Sequence, residues 1–295
     1  MELVRYNIPW KLSNKPFYLG FLGDIQYAGR NGPTAKETLR RYIDRCLELD
    51  AWYLGTGDYI DFMSPSNRQR MRSAALYDTA EDVVDEKAMD LTQELFDQFL
   101  RPTKGKWIGL LEGHHFTQLK SGDTTDQRLA SMLNARFLGT SAYINLLFKV
   151  NTSKLPVTLW VHHGCGGGIT DGAPLTRLDR IAARFEGADI FAMGHTTKMP
   201  ATRIAKPYPN WTAPGGPKLV HRDALLVNTG GFMKSYVERS MSGRTPRGGY
   251  AEQAMYPPSS VGAPLIEIRP HFHDVGDHTT KNRKRQWAPE IRVIL

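Results

Sequence analysis

The chain of 295 residues is 41% hydrophobic and 23% charged, the balance of an ordinary globular protein, which argues against a disordered or fibrous chain. Its apolar runs are a few residues long, far short of the ~20 needed to cross a bilayer. The first residues show no apolar signal region, and two cysteines, Cys46 and Cys165, cannot build a disulfide framework. These features predict a single cytoplasmic domain over 1–295 with no membrane partner, and leave the oligomeric state open. The net charge is +8, and it is concentrated. Between positions 198 and 250, Lys198, Arg203, Lys206, Lys218, Arg222, Lys234, Arg239, Arg244 and Arg247 face only Asp223 and Glu238, a net +7. Such a segment favours a polyanionic partner, nucleic acid among them; a solvated basic surface is the plain alternative.

In chain order, residues 17–22 read as a buried strand. Residues 34–49 read as a helix, with Ala35, Leu39, Tyr42, Ile43, Cys46 and Leu47 on one face. Thr34 and Glu37 fit a capping box at its start, and Cys46 falls on the core stripe. Residues 51–54 are the next strand. Residues 81–100 form a second helix, with Val84, Ala88, Leu91, Leu95 and Phe99 inward and a row of carboxylates outward; a solvated face explains that row. A strand at 106–111 and a short helix at 126–134 follow. Residues 142–150 and 155–161 pattern as a hairpin, 175–185 as a helix, 190–193 as a strand and 219–227 as a strand. The Pro- and Gly-rich stretches 197–218 and 246–264 read as loop, with closing strands at 265–269 and 291–295. Strands alternating with helices, then strands joined by hairpins, predict an α/β domain with mixed sheets.

Five of these strands end in a glycine beside Asp or His: Leu22-Gly23-Asp24, Gly57-Asp58, Glu112-Gly113-His114-His115, Val161-His162-His163-Gly164 and Met193-Gly194-His195. Five of the nine histidines fall there. Ligands in open α/β sheets bind outside the carboxyl ends of strands, and Asp and His are the ligands of Zn, Mn and Fe. One such end means little. Five in one chain are hard to assign to core packing and predict a metal site.

The order D-x-Q, G-D-x-x-D, G-H-H, H-H-G, G-H-T-T resembles the calcineurin-like metallophosphoesterase superfamily, whose pattern is D-x-H, G-D-x-x-D, G-N-H-[DE], a later His, then G-H-x-H. The resemblance covers a motif-bearing core at 17–231, leaving 232–295 as closing strands and a basic tail. It implies a four-layer α/β/β/α sandwich of two mixed β-sheets flanked by helices. It implies one or two divalent metal ions per chain, Mn first, with Zn, Fe or Mg as alternatives. Asp24 is then a ligand of the first metal and Asp58 the bridging carboxylate. His114 stands where the family has Asn, as a ligand of the second metal with His162 and His195. His115 matches the catalytic His that serves the leaving group. Asp61 is assigned to hydrogen bonding behind the ligands, and His163 replaces His162 if the strand register differs. Gln26 and Thr197 occupy the two positions where the family places first-metal histidines. Amide and hydroxyl are poorer ligands than imidazole, so the first site is expected to be the weaker.

The activity this implies is hydrolysis of a phosphate ester by a metal-activated hydroxide, with a phosphodiester in nucleic acid or a nucleotide as the first substrate class. A phosphomonoesterase or protein phosphatase is a further alternative, and a fold-retaining binding or scaffold protein without turnover is the rival class. The basic segment begins just after His195 and is expected to border the site, with Arg239 and Arg244 as phosphate contacts. Gly166 and Gly167, in the glycine run 164–168, can cradle a phosphate through backbone N–H groups or form a plain loop. His271, His273, Asp274, Asp277 and His278 read as an exposed polar loop, and the basic run 281–287 as solvated surface.

Overall fold

The computed structural model describes residues 1–9, 15–74, 77–150, 153–167, 170–213, 215–238, 240, 249–275 and 284–295. Its eleven strands form two mixed sheets. Six strands make the first: β1 (Glu2–Pro9), β5 (Ser141–Val150), β6 (Ser153–His162), β7 (Ile190–Met193), β9 (Lys218–Asn228) and β8 (Ala201–Asn210), in that spatial order. Five make the second: β11 (Lys284–Ile294), β10 (Leu265–Val275), β2 (Phe17–Gly23), β3 (Trp52–Gly57) and β4 (Trp107–Leu110). Each sheet contains a parallel triplet, β6-β7-β9 in one and β2-β3-β4 in the other.

The inner faces of the two sheets share one core. Leu155, Val157, Leu159 and Val161 alternate along β6 and meet Leu19, Phe21, Leu54, Ile266 and Ile268 of the other sheet, the period of two expected when one strand face is buried. The outer face of the five-stranded sheet is covered by α1 (Lys36–Glu48), α3 (Asp78–Leu95) and α4 (Thr125–Met132). They contribute Leu39, Ile43, Cys46, Leu91, Leu95 and Leu129 to a second core. Across the molecule, α5 (Ala173–Ala182) lays Leu178 and Ala182 on Trp160, Phe191 and Leu226 of the six-stranded sheet. The order helix, sheet, sheet, helix is consistent with a sandwich. Two shorter helices, α2 (Pro65–Ser73) and α6 (Tyr250–Gln253), complete the six α-helices among the described residues.

Several local expectations are corrected. Thr34 and Glu37 form no capping box. The helix begins after Ala35, with no side-chain cap, because the Thr34 hydroxyl donates instead to the carbonyls of Ile25 and Gln26. Stretch 197–218 is not all loop, since β8 pairs antiparallel with β9. Pro207 and Pro209 suggested a loop because proline has no N–H to donate. They are tolerated because β8 is the outermost strand, where one edge needs no partner. Strand β10 runs on through Val275 against β11, so His271, His273 and Asp274 belong to a strand; Asp277 and His278 lie outside the described residues. The second helix starts at Asp78, and a single π-helical turn at Phe96–Leu100 follows it. Strand β1 and helix α2 had no counterpart in the sequence reading.

Candidate metal centre

The carboxyl ends of the two parallel triplets meet along one edge of the sandwich, and the Gly-Asp and Gly-His turns lie there. Among the described residues, eight non-glycine residues have positive φ. Five of them are Asp24 (45°), Gln26 (46°), Asp58 (55°), His195 (72°) and Thr197 (55°). Left-handed backbone costs about 1–3 kcal/mol per residue and persists where the surroundings over-determine it, commonly at functional sites. Of these five, Asp58 and His195 bring their side chains into the cluster described next. The glycines allow the close approach: a Cβ on Gly113 would sit 2.0 Å from the Asp58 amide nitrogen and 2.2 Å from Asp58 Oδ1.

Four side chains converge. One ligand atom each from Asp58, His114, His163 and His195 lies within 4.8 Å of the other three. The His114 ring centroid is 4.6 Å from that of His163 and 4.7 Å from that of His195. His114 Nδ1 and His195 Nδ1 face each other at 3.2 Å. His163 is fully buried and its Nδ1 pairs with the Thr56 carbonyl at 2.6 Å, so Nδ1 carries a proton and Nε2 is the ring nitrogen turned inward, free to ligate once its own proton is displaced. That Nε2 is 3.4 Å from Asp58 Oδ2 and has no hydrogen-bond partner among the described residues. Asp58 Oδ1 accepts from the backbone N–H groups of His114 and, at 2.9 Å, of His115.

The titration of these groups follows from burial and mutual charge. Burial resists ionisation of Asp58, yet His163 beside it and the His115 contacts hold its carboxyl well below the usual range. Burial would lower the pKa of His163, but Asp58 and Asp24 raise it to about 9. His195 is pushed down to about 4 by burial and by the neighbouring His163 and His114, and His114 is lowered for similar reasons. Asp24 is wholly buried, which raises its pKa to about 7. Its Oδ2 accepts from the His195 N–H at 2.8 Å, while its Oδ1 is buried with no hydrogen-bond partner among the described residues.

His163, and not His162, joins the cluster. His162 lies one residue earlier, at the last position of β6, and the pleat sends its ring to the opposite face. There it stacks on Trp160, centroids 5.8 Å apart, and its Nδ1 accepts from the Gly164 N–H at 2.7 Å. His115 Nδ1 pairs with Asp61 Oδ1 at 3.0 Å. Burial opposes protonation of His115, but the Asp61 hydrogen bond and the Asp58 charge win and raise its pKa.

The positions of the expected first metal are differently disposed. The Gln26 N–H donates to the Asp58 carbonyl at 3.0 Å, and the Gln26 carbonyl accepts from Thr34. The Thr197 hydroxyl pairs with Ser259 Oγ at 3.2 Å, so it is engaged with the 249–264 segment. Gly166 and Gly167 are exposed, and the Gly166 carbonyl accepts from Arg177 at 3.4 Å. Arg239 and Arg244 lie outside the described residues.

Parts of the basic segment lie at the strand ends, where the Phe232 N–H donates to the Asp24 carbonyl and the Gly230 N–H to that of Lys198, while β8 and β9 extend away from them. From Asn228 back to Lys218, β9 runs ten residues away from the strand ends, about 33 Å at ~3.3 Å per residue, and β8 runs out beside it. Four of its cations are engaged by neighbours. Arg203 donates to the Ile291 carbonyl and Lys206 to that of Ala182. Arg222 pairs with Asp189 at 2.7 Å, and the buried Lys198 with Asp171 at 3.2 Å. Lys218 and Lys234 are exposed.

Sequence reasoning missed three supports of the site. Thr56 orients His163 through its carbonyl. Asp126 is fully buried and accepts from the Gly113 N–H at 3.0 Å, and burial raises its pKa to about 7. Arg68 donates to the carbonyls of His114 at 2.6 Å and Phe116 at 2.7 Å. A real T-x-x-Q capping box at Thr124 and Gln127 marks the helix start that delivers Asp126, and was legible; nothing in the sequence marked Arg68.

Fold and cluster together define an α/β protein of two mixed sheets whose strand ends carry a His/Asp cluster able to hold a metal ion. No family model matches the chain, and no curated protein matches it.

Proposed function

We propose that the chain is a metal-dependent phosphoesterase of the calcineurin-like metallophosphoesterase kind, acting on a phosphodiester. The observation that carries this reading is the convergence of Asp58, His114, His163 and His195 within 4.8 Å, with the His115–Asp61 pair beside it. The donor set suits a divalent ion of the Zn, Mn and Fe class. Two buried atoms without hydrogen bonds among the described residues, His163 Nε2 and Asp24 Oδ1, fit such an ion, because buried polar atoms otherwise find partners.

Asp58, His114, His163 and His195 would hold the ion. A divalent ion bound there supplies Lewis acidity, polarising a phosphoryl oxygen and bringing the pKa of water towards neutrality. The protein's own groups do the rest. Thr56 fixes the tautomer of His163, the kind of outer-shell contact that orients a metal-binding imidazole. Asp58 stays ionised and is oriented by two backbone N–H groups. His115 has Asp61 on Nδ1, so Nε2 is the atom that donates a proton to the leaving oxygen. Its raised pKa keeps it protonated nearer neutrality, where general-acid catalysis is most effective.

A second reading is a metal-binding protein with little turnover. It is favoured by Thr197, whose hydroxyl is engaged by Ser259. Elemental analysis of the purified protein, followed by hydrolysis of an aryl phosphodiester with added Mn, separates the two. Mn-dependent hydrolysis that chelator abolishes is expected; bound metal without turnover selects the second reading, and neither rejects both. Nucleic acid as the diester source predicts binding that weakens steeply with salt and is lost when Arg239, Arg244 and Arg247 are removed together.

A further inference from the structure

The turn 113–116 carries both His114 and His115, and charged side chains take up its backbone groups. The Gly113 N–H goes to Asp126 Oδ2, and the N–H groups of His114 and His115 go to Asp58 Oδ1. On the other side, one nitrogen of Arg68, Nη1, donates to the His114 carbonyl at 2.6 Å and the Phe116 carbonyl at 2.7 Å. The Met63 carbonyl is 3.1 Å from the same nitrogen, so its two N–H groups are shared among three carbonyls. The guanidinium lies 4.0 Å from the Phe116 ring centroid. A planar, permanently charged fork suits that combination of carbonyl binding and ring stacking; an ammonium does not stack in this way.

We propose that Arg68 is a positioning residue that sets the His114–His115 turn, and through it the placement of His114 in the cluster and of His115 against Asp61. The inference rests on the metal-centre reading above. The turn has carboxylates drawing on its N–H groups from one side, and a cation on its carbonyls is the complementary restraint from the other. Without Arg68, two partly buried carbonyls lose a charged donor, and the turn keeps only its carboxylate side. Arg68 comes from α2, in which no described residue is buried, so the helix contributes this contact more than packing.

The test compares Arg68→Met, Arg68→Lys and Arg68→Ala with a control on the same helix, Arg70→Met, in the full chain. Mn affinity is expected to fall about 10–100-fold in Arg68→Met, the usual cost of losing an outer-shell contact, while Arg70→Met binds as the unmodified protein does. Amide hydrogen exchange over 113–117 should rise in Arg68→Met with exchange elsewhere unchanged. Guanidinium ion at millimolar concentration should restore Mn affinity to Arg68→Ala and not to Arg68→Lys, whose own ammonium occupies the space. Should Arg68→Met fail to fold, Arg68→Lys and the rescue of Arg68→Ala give the same decision. Unchanged Mn affinity together with unchanged exchange would overturn the role of Arg68. If the unmodified protein itself binds no Mn, the metal-centre reading falls, and the exchange measurement alone still judges Arg68.

Discussion

The two sides of the strand-end site are built from the same kind of turn and differ in what their side chains do. On one side, ligand atoms of Asp58, His114, His163 and His195 come together, and the buried Nε2 of His163 has no hydrogen-bond partner among the described residues. On the other, Asp24 turns one oxygen to the His195 backbone and Thr197 directs its hydroxyl to Ser259. Both sides retain the left-handed backbone at Asp24, Gln26, Asp58, His195 and Thr197. The backbone frame is thus common to both, and ligand chemistry sets the two sides apart. Three imidazoles and a carboxylate converge on one side and could hold a metal ion; imidazole is a better ligand for transition metals than the amide and hydroxyl that Gln26 and Thr197 offer on the other.

The largest effect expected from breaking this asymmetry is at Asp58. Asp58→Asn removes the only anion of the four-residue cluster and should reduce both retained metal and Mn-dependent phosphodiester hydrolysis to background. Full hydrolysis in this variant would remove Asp58 from the mechanism.

The next comparison is between adjacent histidines. His163→Ala should weaken metal binding by more than the roughly 10–100-fold typical of an outer-shell contact, and His162→Ala should leave it nearly unchanged. Titration with Mn, read by elemental analysis after dialysis, decides it. The reverse ranking would mean that β6 presents its other face to the ion.

The weaker side can be strengthened. The unmodified protein should hold nearer one ion than two after dialysis. Gln26→His combined with Thr197→His should raise that towards two and lower the Mn concentration needed for hydrolysis. Two ions held tightly by the unmodified protein would show that the amide and hydroxyl suffice.

A smaller effect is expected from pH on the metal-free protein. A group whose pKa rises on folding stabilises the fold below its ordinary pKa, and that contribution is lost as pH passes its folded value. For Asp24 and Asp126, with folded values of about 7, the loss falls between pH ~4 and 7. For His163, at about 9, it falls between pH ~6.5 and 9. Below pH ~6.5 the lowered pKa values of His195, His114 and His162 act in the opposite sense, so the decline in Tm of chelator-treated protein is expected from about pH 7 to pH 9. Asp126→Asn should raise Tm at pH 7 relative to pH 5 when compared with the unmodified protein, and a Tm that rises from pH 7 to pH 9 would contradict the raised pKa of His163.

The sequence alone determined the elements with strong periodicity. Cys46 fell on the core stripe of α1 and is fully buried. The β5–β6 hairpin, β7 and the strand-end glycines were legible because apolar runs and Gly-Asp or Gly-His turns are local signals. Local signals also misled: Pro207 and Pro209 hid an edge strand, and Thr34 looked like a cap although its hydroxyl serves a neighbouring turn. Tertiary structure decided what depends on direction and on distant partners. The choice of His163 over His162 is one residue of strand register, which turns a side chain to the opposite face of a sheet. The course of β8 and β9 carried Arg203, Lys206, Lys218 and Arg222 away from the strand ends, although the segment follows His195 directly in sequence. The contacts of Arg68, Thr56 and Asp126 join residues 46, 107 and 13 positions apart. Spacing in a chain cannot encode such contacts, because they form only once two sheets and their flanking helices have packed.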